Sequence, residues 1–429
     1  VIPPLLQHQE SALRWMDVHP KGWLALEQGL GKTRCVVEED AGPTEVVVPA
    51  FLRANWAREI RRWRPGARVQ FVTGHTGYPR GADYYIVAYN DLVNLVPPLG
   101  IERVVFDESH YMNSNMVKHV GKKRATFSKR TKHGCARIKT TRLVRLLSGT
   151  PDPNRPMELW AVANTLGMTR LTRNEWGVHF CNGHPGRWGG WDFTGASNVE
   201  ELRRLFGEWS FRLTKREALT LPKCMRRLIV LGAKPDMRER SFEVNEIARN
   251  PNPVAFVGLS ELLHEHGKRK TPEALEYIRG VMHDTRPVLI AAKHNAVVAM
   301  LRDGLKDAYR VATLTGETPT FKRDEIVQDF KLGRLDAVIG NSRAMGVGVD
   351  GLQERCHYLI VVETDWSQAV NAQLEGRLDR MGQTHRVQCD YLVCDRSIDA
   401  RIIEKCLWKE DFAAQVTGDR FRQSIEDLF

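Results

Sequence analysis

Glu27-Gln28-Gly29-Leu30-Gly31-Lys32-Thr33 follows the apolar run Trp23-Leu24-Ala25-Leu26 and precedes a helical stretch. An apolar run, a glycine-rich turn and then a helix make the core of a phosphate-binding loop. The glycines let backbone N–H groups approach phosphate oxygens. Lys32 would reach the β- and γ-phosphates, and Thr33 would ligate Mg²⁺. Leu26 stands where the general pattern has its first glycine. Gly-x-Gly-Lys-Thr arises by chance in a chain this long at roughly the one-per-cent level, so other motifs must decide.

Val104-Val105-Phe106-Asp107-Glu108-Ser109-His110 is an apolar strand ending in two acids. Alone it is an ordinary acidic turn. Downstream of a phosphate loop, Asp107 would hold Mg²⁺ and Glu108 would polarise an attacking water. Leu146-Leu147-Ser148-Gly149-Thr150-Pro151 ends another strand, and Ser148 and Thr150 could sense a γ-phosphate. Gln373-Leu374-Glu375-Gly376-Arg377-Leu378-Asp379-Arg380-Met381-Gly382-Gln383 spaces two arginines three apart, which predicts one helical face presenting both guanidiniums. Such a pair can stabilise charge on a transferring phosphoryl group; a solvated basic face is the alternative. Gly346-Val347-Gly348-Val349-Asp350 could approach a nucleotide or a nucleic-acid backbone, or be a plain loop.

Around these motifs, short β-branched runs alternate with helical patterns twice over. The runs are 45–48, 69–73, 84–88, 104–106 and 143–147, then 288–292, 308–314, 337–339, 357–362 and 390–393. The helical stretches are 32–39, 52–63, 296–305 and 322–331. Strand–helix alternation predicts parallel sheets covered on both faces, hence two α/β lobes. Residues 155–285 read as mainly helical and loop-rich, and Leu221-Pro222 punctuates them. The expected domains are 1–222, with a helical insertion over 155–222, and 223–429, with an insertion over 236–285 and C-terminal helices.

The 429 residues carry 63 Lys+Arg against 52 Asp+Glu, a net charge of +11. From Asn113 to Arg145 there are eleven Lys/Arg and no Asp/Glu, so this segment alone equals the excess. A concentrated basic patch fits a polyanionic partner, and a solvated loop is the competing reading. Eight cysteines are too sparse for a disulfide framework, and no apolar run reaches transmembrane length. No charged and then apolar opening marks a secretory signal. These features predict an intracellular protein, and sparse tails with no visible targeting module favour a bacterial or phage-infected cytoplasm over a nucleus. His179, Cys181 and His184 lack a fourth ligand nearby, so no zinc is expected. The eleven Trp, Trp56 and Trp366 included, read as packing residues.

In order and spacing the set resembles the superfamily-two helicases. Gln9 stands like their adenine-reading glutamine, and Pro49 with Asn55-Trp56 resembles motif Ia. Leu289–His294 resembles motif IV, Gly346–Asp350 motif V and Gln373–Gln383 motif VI. Gly-Leu-Gly-Lys-Thr and the final Arg-x-Gly-Gln resemble the Swi/Snf-type double-stranded DNA translocases. Trp188–Phe193, Gly195–Asn198 and Arg212–Lys215 are similar to the HARP-type annealing-helicase branch.

The resemblance implies two RecA-like lobes that use ATP and Mg²⁺. Gln9, Gly29, Gly31, Lys32, Thr33, Gly348 and Asp350 would bind nucleotide; Lys32, Asp107, Glu108, Arg377 and Arg380 would be catalytic; Thr33 and Asp107 would hold the metal. Asn55, Tyr89, Asn90, Lys293 and Arg323 would meet DNA, joined by Lys122, Lys123, Arg124, Lys129, Arg130 and Lys132 of the basic segment. His110, Ser148, Thr150 and Gln373 would couple the two events. The implied protein is a monomeric ATP-dependent translocase that remodels or anneals branched DNA. A strand-separating helicase and a catalytically inactive DNA-binding scaffold are the alternatives.

Overall fold

Thr44–Val48 is buried at all five positions, as are Tyr84–Ala88, Arg103–Phe106, Leu143–Leu147 and Val288–Ala292 throughout their lengths. Strands this uniformly covered belong to parallel sheets with helices on both faces. The computed structural model describes residues 2–112, 116–117, 126–149, 156–186, 190–233, 253–346 and 349–417. Residues up to Ala218 form one compact unit, and Leu219 to Phe412 form a second.

The first unit holds a seven-stranded sheet whose pairings are all parallel. Across the sheet the strands are Ser210–Leu213, Lys21–Leu26, Leu143–Leu147, Arg103–Phe106, Thr44–Val48, Tyr84–Ala88 and Val69–Val72. The helix Arg53–Trp63 buries Trp56, Ala57 and Ile60, one face of a helical repeat. The helix Lys129–Thr140 starts where Ser128 Oγ accepts the Thr131 N–H at 3.2 Å, a cap worth about 1 kcal/mol.

The second unit holds a six-stranded parallel sheet. Its order is Cys224–Leu231, Val387–Cys394, Tyr358–Val361, Val288–Ala292, Ala337–Asn341 and Val311–Leu314. Leu289, Val338, Leu359 and Phe330 lie in the core on one side of this sheet, and Ile290, Ile339, Ile360 and Leu301 in the core on the other.

The alternation of strands and helices read from the sequence is present in both units. The middle of the chain needs correction. Its helices Pro156–Leu166, Arg173–Phe180, Val199–Glu208 and Pro253–Asp284 are there, but it also holds the strands Ser210–Leu213 and Cys224–Leu231. Both are edge strands. An edge strand with a partly open face need not be uniformly apolar, and Cys-Met-Arg-Arg-Leu-Ile-Val-Leu carries no clean period. Among the described residues no helix is long and apolar enough to cross a membrane.

Candidate active site

The phosphate loop joins the strand Lys21–Leu26 to the helix Lys32–Glu38. Gly29 (φ +88°) and Gly31 (φ +79°) take left-handed conformations that favour glycine. A Cβ on Gly31 would also collide with the Gln9 amide. Gln9 is buried; its Nε2 donates to the Leu30 carbonyl at 3.3 Å, and its Oε1 accepts the Leu6 N–H at 3.1 Å. His8, which the sequence did not single out, places a ring nitrogen 2.9 Å from the same carbonyl. Lys32 Nζ donates to the Leu26 carbonyl at 2.8 Å. Burial lowers the pKa of its ammonium, while the charges of Glu108 and Asp107 push it back up. Thr33 sits in the first turn of the same helix. Glu27, at the start of the loop, accepts the Lys215 backbone N–H at 2.8 Å, and Lys215 Nζ lies 3.6 Å from its carboxylate.

The acids stand at the carboxyl end of Arg103–Phe106, and Ser148 at that of its neighbour Leu143–Leu147. The phosphate loop leaves the next strand over. Loops at the carboxyl ends of adjacent parallel strands are where ligands of such sheets bind. Asp107 Oδ2 accepts a 2.7 Å hydrogen bond from Trp56 Nε1, and its Oδ1 accepts the Glu108 N–H at 2.9 Å. Burial, reinforced by the Glu108 charge, still raises the Asp107 carboxyl to about 6. Glu108 has φ +48°, a left-handed conformation costly for a non-glycine residue. Its carboxylate lies 3.4 Å from His110 Nδ1, and burial pulls His110 down to about 4. A buried Asp107 carboxyl with suppressed ionisation beside the Glu108 carboxylate is what a divalent cation relieves. The Asp107 carboxylate and Thr33 hydroxyl are oxygen donors suited to a hard one, so these residues fit Mg²⁺ with a nucleotide.

Three of the expected DNA-contact residues come together beside the acids. Arg130 Nη2 donates to Asn90 Oδ1 at 3.0 Å, and its guanidinium carbon is 5.8 Å from the Tyr89 ring centroid. Asn55 Oδ1 accepts from Arg58 at 2.8 Å on a separate helix. Lys129 and Lys132 share the helix of Arg130. Lys122, Lys123, Arg124, Thr150 and Gly348 lie outside the described residues.

The basic segment is not a uniform patch. Arg137 is buried against Glu45 at 2.9 Å, and Arg145 is buried against Glu39, which also pairs with Arg103 at 2.9 Å. Arg142 lies 3.3 Å from Glu102. Acids distant in sequence neutralise these three, so the segment's charge excess is smaller than its local composition implies.

In the second unit, Glu363 is the organising acid that the sequence did not reveal. Its Oε2 accepts the backbone N–H groups of Lys293 and His294, each at 2.9 Å, and its Oε1 lies 2.7 Å from His294 Nδ1. Arg323 is turned into its own loop, donating to the carbonyls of Thr318 at 2.9 Å and Thr315 at 2.8 Å.

The helical face expected for Arg377 and Arg380 is absent: the helix Gln368–Glu375 ends before them, and turns follow through Gly382 (φ +92°). Glycines at 376 and 382 favour turns over helix. Arg377 donates to the carbonyls of Val349 at 2.7 Å and Gly346. Arg380 pairs with Asp350. Gln373 lies beside Gly346.

His179 is 2.7 Å from Glu201, and His184 Nδ1 is 3.0 Å from the Asn182 carbonyl. His266, Cys394 and Asp399 cluster in the second unit, where Lys270 Nζ, 2.5 Å from Asp399, already supplies a cation.

Residues 8–243, more than half of the chain, match the model of the SNF2-related domain, and residues 270–382 match that of the helicase conserved C-terminal domain. The chain is 26% identical to the DNA annealing helicase and endonuclease ZRANB3 of Mus musculus, over 94% of this chain and 39% of that protein. It is also 26% identical to the SWI/SNF-related matrix-associated actin-dependent regulator of chromatin subfamily A-like protein 1 of Xenopus tropicalis, over 88% of this chain and 41% of that protein. This chain thus spans about two fifths of the length of these two relatives. A solved structure, the Sulfolobus solfataricus SWI2/SNF2 ATPase core in complex with dsDNA, aligns over 97% of this chain and 95% of that one, with 16% identity and a TM-score of 0.44.

Proposed function

Since this chain belongs to the SNF2-related family, we propose that it is an ATP-driven translocase of double-stranded DNA that remodels or anneals branched DNA. The observation that carries this reading is the placement of Lys32 and the Asp107–Glu108 pair on loops from one sheet, with Arg130, Asn90 and Tyr89 beside the acids. The relatives' names, among them a DNA annealing helicase, support the branched-DNA part.

The two units act as RecA-like lobes, with a boundary at 222–223. Gln9 reads the base, and the backbone of Gly29 and Gly31 cradles the phosphates. Lys32 neutralises their charge. Thr33 and Asp107 hold Mg²⁺, which supplies further charge neutralisation when bound. Glu108 accepts a proton from the attacking water. Arg380 is the candidate arginine finger. Arg377 holds Gly346 and Val349 through their carbonyls, Gly348 and Asp350 bind nucleotide, and His110, Ser148, Thr150 and Gln373 report nucleotide state. Asn55, Asn90, Arg130 and the lysines near them face the DNA backbone, whereas Tyr89, expected to do so, is buried with its hydroxyl on the Asp107 carbonyl and supports them from behind. Lys293 and Arg323 do so from the second lobe, and the protein works as a monomer. Phosphate contacts carry no sequence code, so binding is sequence-tolerant.

ATP hydrolysis measured with duplex, forked and single-stranded DNA tests the proposal. Stimulation by duplex and fork above single strand is expected. Stimulation by single strand alone would favour a strand-separating helicase, and no hydrolysis with any DNA would leave only a binding scaffold.

A further inference from the structure

The two carbonyls of the acid pair are held by two tyrosines. Tyr89 Oη donates to the Asp107 carbonyl at 2.9 Å, and the Tyr111 backbone N–H donates to the Glu108 carbonyl at 2.9 Å. The tyrosine rings stack on each other at 5.4 Å and 16°. Tyr89 is buried, whereas Tyr111 is 37% exposed. Arg130 closes the stack from outside, its guanidinium carbon 5.8 Å from one ring centroid and 5.7 Å from the other. Its hydrogen bond, at 3.0 Å, is to the neutral Asn90 amide.

We infer that Arg130, seated on the Tyr89–Tyr111 stack, is the positioning residue through which DNA bound on this face adjusts the Asp107–Glu108 turn. The inference rests on the DNA-translocase reading and adds to it a route for stimulation. A guanidinium held by two ring faces and a neutral amide is engaged weakly. A phosphate oxygen is a stronger, charge-assisted acceptor, and it competes for the same group. When Arg130 turns to a phosphate, the stack loses its outer support. The two hydrogen bonds on the peptides flanking Glu108 link the stack to the acids. Glu108 sits at φ +48°, a costly conformation kept only by the contacts around it, so weakening the support from the stack lets the turn shift and reorients its carboxylate. Arg130 thereby senses the DNA backbone from its place against both rings, and Glu108 responds through the hydrogen bonds beyond them.

The test uses the full chain with Tyr111→Ala, Tyr111→Phe, Arg130→Ala, Arg130→Lys and the double alanine variant. Turnover is read against duplex concentration, equilibrium duplex affinity by fluorescence anisotropy, and folding by thermal melting. Tyr111→Ala is expected to lower DNA-stimulated kcat by about tenfold, within the usual range of coupling between sites. Its half-saturating duplex concentration should move by less than about twofold. Tyr111→Phe keeps the ring and the backbone N–H and should restore stimulation. Arg130→Lys lacks the planar fork and should restore it only in part. The double variant should stimulate no worse than Tyr111→Ala, because the two residues act in series.

Three results overturn the inference. One is an Arg130→Ala variant that regains full turnover once duplex is saturating, which makes Arg130 a plain DNA ligand. Another is a Tyr111→Ala variant whose DNA-free and stimulated turnover fall by the same factor. The third is additive loss in the double variant. A wild type unstimulated by duplex would instead refute the translocase reading itself, and the inference with it.

Discussion

Trp56 donates its indole N–H to the Asp107 carboxylate at 2.7 Å, across 51 residues of sequence. This bond favours the ionised carboxylate that a metal needs, against burial and the Glu108 charge, which together raise its pKa to about 6. Trp56→Phe keeps an aromatic ring in a site only 1% exposed but loses the donor. The Asp107 pKa should then rise above its present value, and the acidic limb of kcat/KM for Mg-ATP should move to higher pH. The expected loss is about tenfold at about pH 6 and under about threefold at about pH 8.5, given the worth of a hydrogen bond to a charged group. An unmoved limb in a pH–rate profile would show that the indole only packs.

Lys32→Ala and Glu108→Gln should each reduce hydrolysis by at least about 10³-fold, through different losses. The lysine variant gives up charge neutralisation at the phosphates and should bind ATP weakly. The glutamine variant keeps the shape of the turn and should bind ATP near normally while failing to activate water. Binding by nucleotide fluorescence and single-turnover hydrolysis separate the two. Near-normal turnover in either would refute the site assignment.

Arg380 is paired with Asp350 rather than free. Arg380→Ala should slow DNA-stimulated hydrolysis by about 10³-fold or more if it acts as a finger, with DNA binding retained in the absence of ATP. Asp350→Asn should have a smaller effect, because it releases the guanidinium instead of removing it. DNA binding abolished with residual ATPase intact would make Arg380 a DNA ligand.

The basic segment should split in two under mutation. Neutralising Lys122, Lys123, Arg124, Lys129 and Lys132 together should flatten the salt dependence of DNA affinity, by about 0.9 log–log units for each phosphate no longer neutralised. Arg137→Ala should instead cost about 3–5 kcal/mol of stability, because it leaves Glu45, which is 1% exposed, without its cation and with only the neutral Tyr78 hydroxyl as side-chain donor. Affinity measured against salt and denaturant melts of both variants would test the division. An identical salt slope in the lysine variant would discard its DNA role.

His266 and Asp399 predict a pH-dependent second unit. Burial disfavours the His266 cation, but the hydrogen bonds to Asp399 and Cys394 and the Asp399 charge together outweigh it and hold the imidazole at about 9, above the ordinary 6.5. A raised folded-state pKa means that this stabilisation is complete below pH 6.5 and is lost as pH rises through about 9. Asp399 is likewise buried, but the Lys270 charge and the His266 hydrogen bond hold it down to about 2. Its contribution is present above its ordinary 3.8 and is lost only as pH falls through about 2. Melting temperature should therefore decline between pH 6.5 and about 9, and His266→Gln should lessen the decline.

The two α/β lobes were legible along the chain, because strands buried on both faces are mostly apolar and the helices between them carry a 3.6-residue period. So were the phosphate loop and the acid pair, whose chemistry rests on residues adjacent in sequence. Which charges serve the fold rather than a ligand was settled by tertiary pairing alone. Arg137 and Arg145 read as part of a polyanion-binding run until Glu45 and Glu39, 92 and 106 positions away, neutralise them. The same holds for Trp56 on Asp107, Glu363 on the loop of Lys293, and Arg130 on Tyr89 and Tyr111. The edge strands Ser210–Leu213 and Cys224–Leu231 escaped the period for a related reason: a partly open face relaxes the local pattern, and the neighbour that completes the strand is far away in sequence. Local composition encodes propensity and burial, but hydrogen bonds and ion pairs between distant residues exist only once the sheet has brought their strands together.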